Sequence, residues 1–338
     1  MSSNSITPRT RVLKCIRGEQ VDRPPVFSGM GNIIKPALDK YGIKFSEVHR
    51  DPELMAKAAV AMYREYGFEC AVIPFDFAVE AEALGSKPNF YDGEDQVLYP
   101  TIKEKAIKDV GELVIPDDLA NAARIPVVTE AIKIARAALG DEVAIGTYIL
   151  GPFTLAGQLK ELDDLLEESF TEPEKTNELL EKLSDIIIDI FNLYRDAGAD
   201  YFTLREMGAT SDVLSPKSFN SLVKPHLLKI IDKMPRPNIL HICGNTNYIV
   251  GDMAKCGADA ISVDHKNELL VSREKIGPDV VMFSGFDPIK VLHQGKLEDV
   301  RPEALKMREG ASAVWPGCDI WPEVTEENMR ELVDALKS

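Results

Sequence analysis

Residues 238–246 read NILHICGNT, and the fold turns on how that stretch is read. A short apolar, β-branched run follows Pro237 and stops at Gly244, the mark of a strand buried on both faces. His241 and Cys243 stand two residues apart, so on a strand both side chains leave the same face. Gly244 lets the chain turn at once, and Asn245 or Thr246 can cap a following helix. Chemistry-bearing side chains at the C-terminal end of a buried strand are what a parallel barrel displays at its rim.

Working outward, seven further runs have the same character. They are 24–30, 70–76, 144–151, 201–206, 260–265, 281–287 and 311–317. Amphipathic stretches separate them. In 52–66, Leu54, Ala58, Met62 and Tyr66 share one stripe, and 172–197 repeats Leu179, Leu180, Leu183 and Ile187 at helical spacing. Pro216 behind Ser215 predicts a helix start running to about 233, and Thr325 predicts the last one. Two short helices are expected near 8–17 and 32–41. Eight strand–helix units define an α/β chain folded as a (β/α)8 barrel, one domain over 1–338, with residues 1–50 a partly helical capping segment. A doubly wound sheet is the competing fold, but its Gly-rich dinucleotide fingerprint is missing.

Composition narrows the function. The 338 residues are 45% hydrophobic and 28% charged, which excludes a disordered or fibrous chain. Thirty-nine basic against 55 acidic residues give a formal charge of −16, a field that repels nucleic acid and anionic membranes. The longest uncharged run, between Glu142 and Lys160, is too short and too rich in glycine for a bilayer span. The first residues, MSSNSITPRTRV, lack an apolar core, so no secretory signal is expected. Five cysteines do not make a disulfide framework, and a reducing cytoplasm is the expected location.

The polar residues cluster by position. Asp76, Glu206, His241, Cys243, Asp264, Asp287 and Cys318 all fall at or just past the C-terminal ends of expected strands. One imidazole and two thiolates suit Zn²⁺, and three protein ligands are the pattern of a catalytic zinc with an open position. Such a site is nearly neutral and can hold a substrate thiol as its thiolate. Cys15, Cys70 and Cys256 sit in packing contexts. Asp264 and Glu206 are the expected catalytic supports, through hydrogen bonds behind the metal ligands. Asp76, Glu82, Arg205 and Asp287 are the candidates for substrate contact, although Asp287 before Pro288 equally suits a helix cap. Arg205 and Glu206 are adjacent, so only one can point inward.

Several short motifs, in order, resemble the uroporphyrinogen decarboxylase superfamily along nearly the whole chain. They are GEQVDRPPV near the start, GPFTLA (151–156), AGADYFTL (197–204), SPKSFNSLVKPHL (215–227), LHICGNT (240–246), GADAISVDH (257–265) and SGFDP (284–288). The segment after VDRPPV reads FSGMGNIIKPAL, without the arginines of the decarboxylase itself. PELMAKAA (52–59), PFDFAVEAEALG (74–85) and RIPVVTEAIK (124–133) look like the branch of methylcobalamin:coenzyme M methyltransferases. That resemblance implies the barrel fold and a catalytic zinc on His241, Cys243 and Cys318. It further implies methyl transfer between a methylated corrinoid (methylcobalamin), presented by a cognate corrinoid protein, and a small thiol such as coenzyme M. A metal-free decarboxylase and a catalytically silent tetrapyrrole-binding protein are the competing expectations.

Overall fold

The computed structural model describes residues 6–93 and 97–338. Seven short strands form one parallel sheet: β1 (Cys70–Val72), β4 (Ala144–Leu150), β5 (Tyr201–Arg205), β6 (Asn238–Ile242), β7 (Ala260–Val263), β8 (Met282–Ser284) and β9 (Ala313–Val314). They are hydrogen-bonded in that order, each to the next in the chain. An antiparallel pair, β2 (Lys87–Asn89) and β3 (Thr101–Glu104), stands apart from it. Nothing in its sequence alternates: the pair is largely exposed and held partly by Lys87 and Glu104, 2.7 Å apart.

Each strand is buried throughout and mostly apolar, as a sheet covered on both sides requires. Helices cover the outside. Pro52–Tyr66 starts on the carboxylate of Asp51, which accepts from Glu53 N and Leu54 N, and ends at Gly67 with φ +71°. Ile125–Leu139 packs beside it, followed by the long helix Pro173–Ala197. The helix expected from Pro216 to 233 is present but opens into a wide turn at Phe219–Val223. Pro225 lies just beyond and has no amide hydrogen to continue the ladder. The last helix, Glu326–Lys337, begins where Thr325 accepts from Asn328 N at 3.2 Å. Short helices occupy Pro8–Ile16 and Lys35–Lys40.

The expected strand at 24–30 is the one that does not enter the sheet. Pro24 and Pro25 cannot donate to a ladder. The segment instead bridges the two edge strands. Val26 C=O accepts from Glu69 N at 2.7 Å on the β1 side, and Gly31 C=O accepts from Ile320 N at 2.9 Å beyond β9. Phe27 fills the interior, its ring 5.1 Å from Phe283, 5.4 Å from Trp315 and 5.9 Å from Tyr201. An irregular extended segment thus takes the eighth place of a (β/α)8-type barrel. Gly29 is required there, because a Cβ would meet Thr203 and lie 2.9 Å from the Trp315 ring. Among the described residues no helix is long and apolar enough to cross a membrane.

Candidate metal centre

The parallel register of the sheet brings the candidate residues level with one another. Arg205 on β5 pairs with His241 on β6, and His241 pairs with Ser262 on β7. His241 is fully buried, and its Nε2 lies 3.0 Å from Cys243 Sγ. Cys243 Sγ lies 3.5 Å from Cys318 Sγ, although 75 residues separate the two in sequence. The three donor atoms fall within 4.8 Å of one another. Two turns aim the thiols. Gly244 adopts φ +76°, and its N–H donates to Asp264 Oδ2 at 3.0 Å. Gly317 lets the loop before Cys318 press against β7, where a Cβ would stand 2.7 Å from the His265 amide nitrogen.

The donor set fits zinc. Zn–S bonds near 2.3 Å and Zn–N bonds near 2.0–2.1 Å in a tetrahedron require S···S of about 3.8 Å and N···S of about 3.5 Å. The separations of 3.5 and 3.0 Å found here need shifts of a few tenths of an ångström. Both thiols are half-buried, so the donor triangle is partly open to solvent. They form one hydrogen-bonded pair. Cys243 is driven well below the usual thiol range by Cys318, helped by His241 and Arg205, while Cys318 is driven up as the donor. An apposed thiol, imidazole and guanidinium favour a thiolate, which is the ligand form.

Ser262 holds the imidazole from behind. Its Oγ lies 2.9 Å from His241 Nδ1 and accepts from Trp315 Nε1 at 2.8 Å, and all three side chains are fully buried. With Nδ1–H directed at Ser262, Nε2 is left free as a ligand. Sequence reasoning missed Ser262, yet it sits two residues before Asp264 on the same face of its strand. It also missed Asp319, the immediate neighbour of Cys318, whose carboxylate forks onto Arg205 at 2.9 and 2.6 Å.

The expected carboxylates lie elsewhere than on the ligands. Glu206 corrects the expectation of a support behind the metal. On the strand, Arg205 takes the inward direction, and Glu206 caps the helix Pro152–Leu159 by accepting from Phe153 N and Thr154 N, both at 2.9 Å, and from Thr154 Oγ1. Its burial pushes the carboxyl up to about 7, against the pull of those donors. Asp264 secures the turn after Cys243 and ion-pairs with His265 at 2.8 Å, rather than touching His241. Asp287 is a cap, accepting from Ile289 N at 3.0 Å and Lys290 N at 3.1 Å, and its other oxygen lies 3.3 Å from His265 Nε2.

Asp76 and Glu82, expected at substrate, are both bound to Arg124. Its guanidinium forks onto Asp76 at 2.8 and 3.0 Å and reaches Glu82 through Nε, while His49 Nδ1 lies 2.9 Å from Asp76. Arg124 was the missed residue there, and the RIPVV motif that contains it was the available signal. Cys15, Cys70 and Cys256 are buried, and burial pushes each thiol up to about 12, which leaves them inert. A cavity of about 780 Å³ is lined by residues that include His265, Leu270, Phe286, Asp287 and Lys306, and by none of the three candidate metal donors.

Fold and site together define a barrel protein with three candidate metal donors gathered at the rim. The chain belongs to the uroporphyrinogen decarboxylase (URO-D) family, which it matches over residues 7–338. Its relatives narrow this further. The methylcobamide:CoM methyltransferase MtaA of Methanosarcina barkeri is 32% identical over 336 residues, covering 98% of each chain. MtbA of Methanosarcina acetivorans, a methylcobamide:CoM methyltransferase, is 28% identical over 337 residues, again covering 98% of each. The solved structure of a methyltransferase from Methanosarcina mazei superposes with a TM-score of 0.94 at 32% identity and covers 98% of each chain. Within the family this chain is a methyltransferase.

Proposed function

We propose that the protein moves a methyl group between a methylated corrinoid, presented by a cognate corrinoid protein, and a small thiol such as coenzyme M, at a zinc ion held by His241, Cys243 and Cys318. The observation that carries this reading is the convergence of one imidazole and two thiols at the barrel rim, with an open side. Relatives named for methylcobamide and CoM supply the two substrates. Zinc bound there would supply a Lewis-acidic position that keeps a substrate thiol deprotonated at neutral pH.

The chain's own residues do the rest. His241 is fixed by Ser262, and Cys243 by the Gly244 turn on Asp264. The acceptor thiol loses its proton to solvent, and its sulfur attacks the methyl carbon from the side opposite cobalt. The S–CH₃ bond forms as the Co–C bond breaks, both electrons of that bond remain on cobalt, and cob(I)amide leaves. Transfer in the opposite direction uses the same atoms.

The decarboxylase reading is weaker on physical grounds, because it needs free cations to bind a polycarboxylate. Arg205 is spent on Asp319, and Arg23 is spent on Glu69 at 2.9 and 3.0 Å. Free thiols suit a reducing cytoplasm.

The test is zinc content by elemental analysis, together with demethylation of methylcobalamin by coenzyme M and by other thiols, followed from the cob(I)alamin spectrum. About one zinc per chain with thiol-dependent demethylation, both lost in Cys318→Ala, is the expected result. A chain that neither contains nor takes up zinc overturns the reading.

A further inference from the structure

The three ligands are not equally supported. His241 lies on β6 and Cys243 one residue past its end, so the sheet itself fixes them. Cys318 lies four residues beyond β9, a strand of only two residues, and 315–325 contains neither helix nor strand. A sulfur on such a loop has no ladder to hold it at 3.5 Å from its partner.

What holds the loop is a buried ion pair. Arg205 is fully buried, with its guanidinium stacked 4.7 Å from the Phe77 ring and 4.9 Å from the Tyr148 ring. Its two terminal nitrogens fork onto Asp319 at 2.9 and 2.6 Å, and the second lies 4.0 Å from Cys318 Sγ. Asp319 Oδ1 also accepts from Gly31 N at 2.8 Å, and Ile320 N donates to Gly31 C=O at 2.9 Å. Residues 318–320 are thereby tied to β5 and to the segment that closes the barrel.

Stability is a poor reason for such a pair. Desolvating two charges offsets most of their attraction, and apolar side chains of similar volume commonly replace a buried pair without loss. The planar fork, by contrast, fixes direction as well as distance. We infer that Arg205 and Asp319 are positioning residues for the Cys318 ligand: the pair sets the loop so that Cys318 Sγ meets Cys243 and His241, and it places a guanidinium N–H at that sulfur.

The inference rests on the zinc reading, and the experiment separates the two. Wild type, Arg205→Lys, Asp319→Asn and the double variant Arg205→Met/Asp319→Leu are compared by zinc affinity against a competing chelator. Thermal unfolding of the metal-free proteins and the thiolate-to-cobalt charge-transfer band after Co²⁺ loading are recorded alongside. Lysine keeps the charge without the fork, and the double variant keeps the volume without the charges. The expected result is a ten- to hundredfold loss of zinc affinity in all three variants with a shifted charge-transfer band, while each still unfolds cooperatively. Wild-type affinity and an unshifted band in a folded double variant overturn the inference and leave the pair structural only. Should the double variant fail to fold, wild-type affinity in both Arg205→Lys and Asp319→Asn overturns it equally. Zinc binding absent from the wild type defeats the zinc reading itself.

Discussion

Ser262→Ala removes one hydroxyl and should weaken two properties at once. In the wild type, Ser262 Oγ accepts from Trp315 Nε1 at 2.8 Å and lies 2.9 Å from His241 Nδ1. Both partners are fully buried, so neither gains water when the hydroxyl goes. Each buried polar group left without a partner costs about 1–3 kcal/mol, giving roughly 2–6 kcal/mol of folding stability for the pair. The imidazole is also freed to rotate and to change tautomer. Losing a partner of this kind costs metal sites about ten- to a hundredfold in affinity. Chemical denaturation of the metal-free protein measures the first loss, and chelator competition for zinc measures the second. Trp315→Phe separates them, because it leaves the Ser262–His241 contact in place and should lower stability with little change in zinc affinity. If Ser262→Ala matched the wild type within about 0.5 kcal/mol and twofold in zinc affinity, the account of how His241 is held would be wrong.

Three further outcomes follow from other parts of the molecule. In Gly317→Ala, the new Cβ meets backbone and Cβ atoms of His265 at 2.7 and 3.0 Å, which cannot yield cheaply, so the Cys318 loop must shift. Zinc content should fall well below one per chain, with about 1–3 kcal/mol of overpacking cost, and full zinc content would contradict it. Glu206→Ala leaves two buried donors, Phe153 N and Thr154 N, without their acceptor and should cost roughly 2–6 kcal/mol in denaturation while zinc affinity stays within about twofold. A large zinc loss there would restore Glu206 to the metal centre.

Glu80 is buried, and burial pushes its carboxyl from the ordinary 4.5 to about 8, with the nearby Asp76 charge adding to the shift. Because the folded-state value is raised, the native state holds the proton that the unfolded chain releases. The resulting stabilisation is complete below about pH 4.5 and is lost as pH rises through 8, with a slope of at most about 1.4 kcal/mol per pH unit. Glu80→Gln should flatten that part of the stability–pH curve. Parallel curves for the two proteins between about pH 6 and 9 would exclude this role for Glu80.

The sequence by itself determined the sheet and pointed to the three candidate metal donors that the fold brings together, for a local reason. Buried parallel strands are near-continuous apolar runs, and seven of the eight runs entered the sheet in chain order. His241 and Cys243 share a face because strand geometry leaves no alternative at a spacing of two. Cys318 was legible because a barrel gathers strand ends at one rim. The run at 24–30 misled because its apolar content is that of a strand, while Pro24 and Pro25 remove the donors a ladder needs.

What surrounds the ligands only the tertiary structure decided. Which of Arg205 and Glu206 turns inward depends on who waits on each side: Asp319 for the cation, the amides of the helix at 152–159 for the carboxylate. Asp76 and Glu82 look available in sequence, but the fold brings Arg124 to them from about fifty residues away. Ser262 is an unremarkable serine until the register of β6 and β7 sets it beside His241. A charge or hydroxyl is committed by its spatial neighbours, and those neighbours come from other strands whose register no local pattern records.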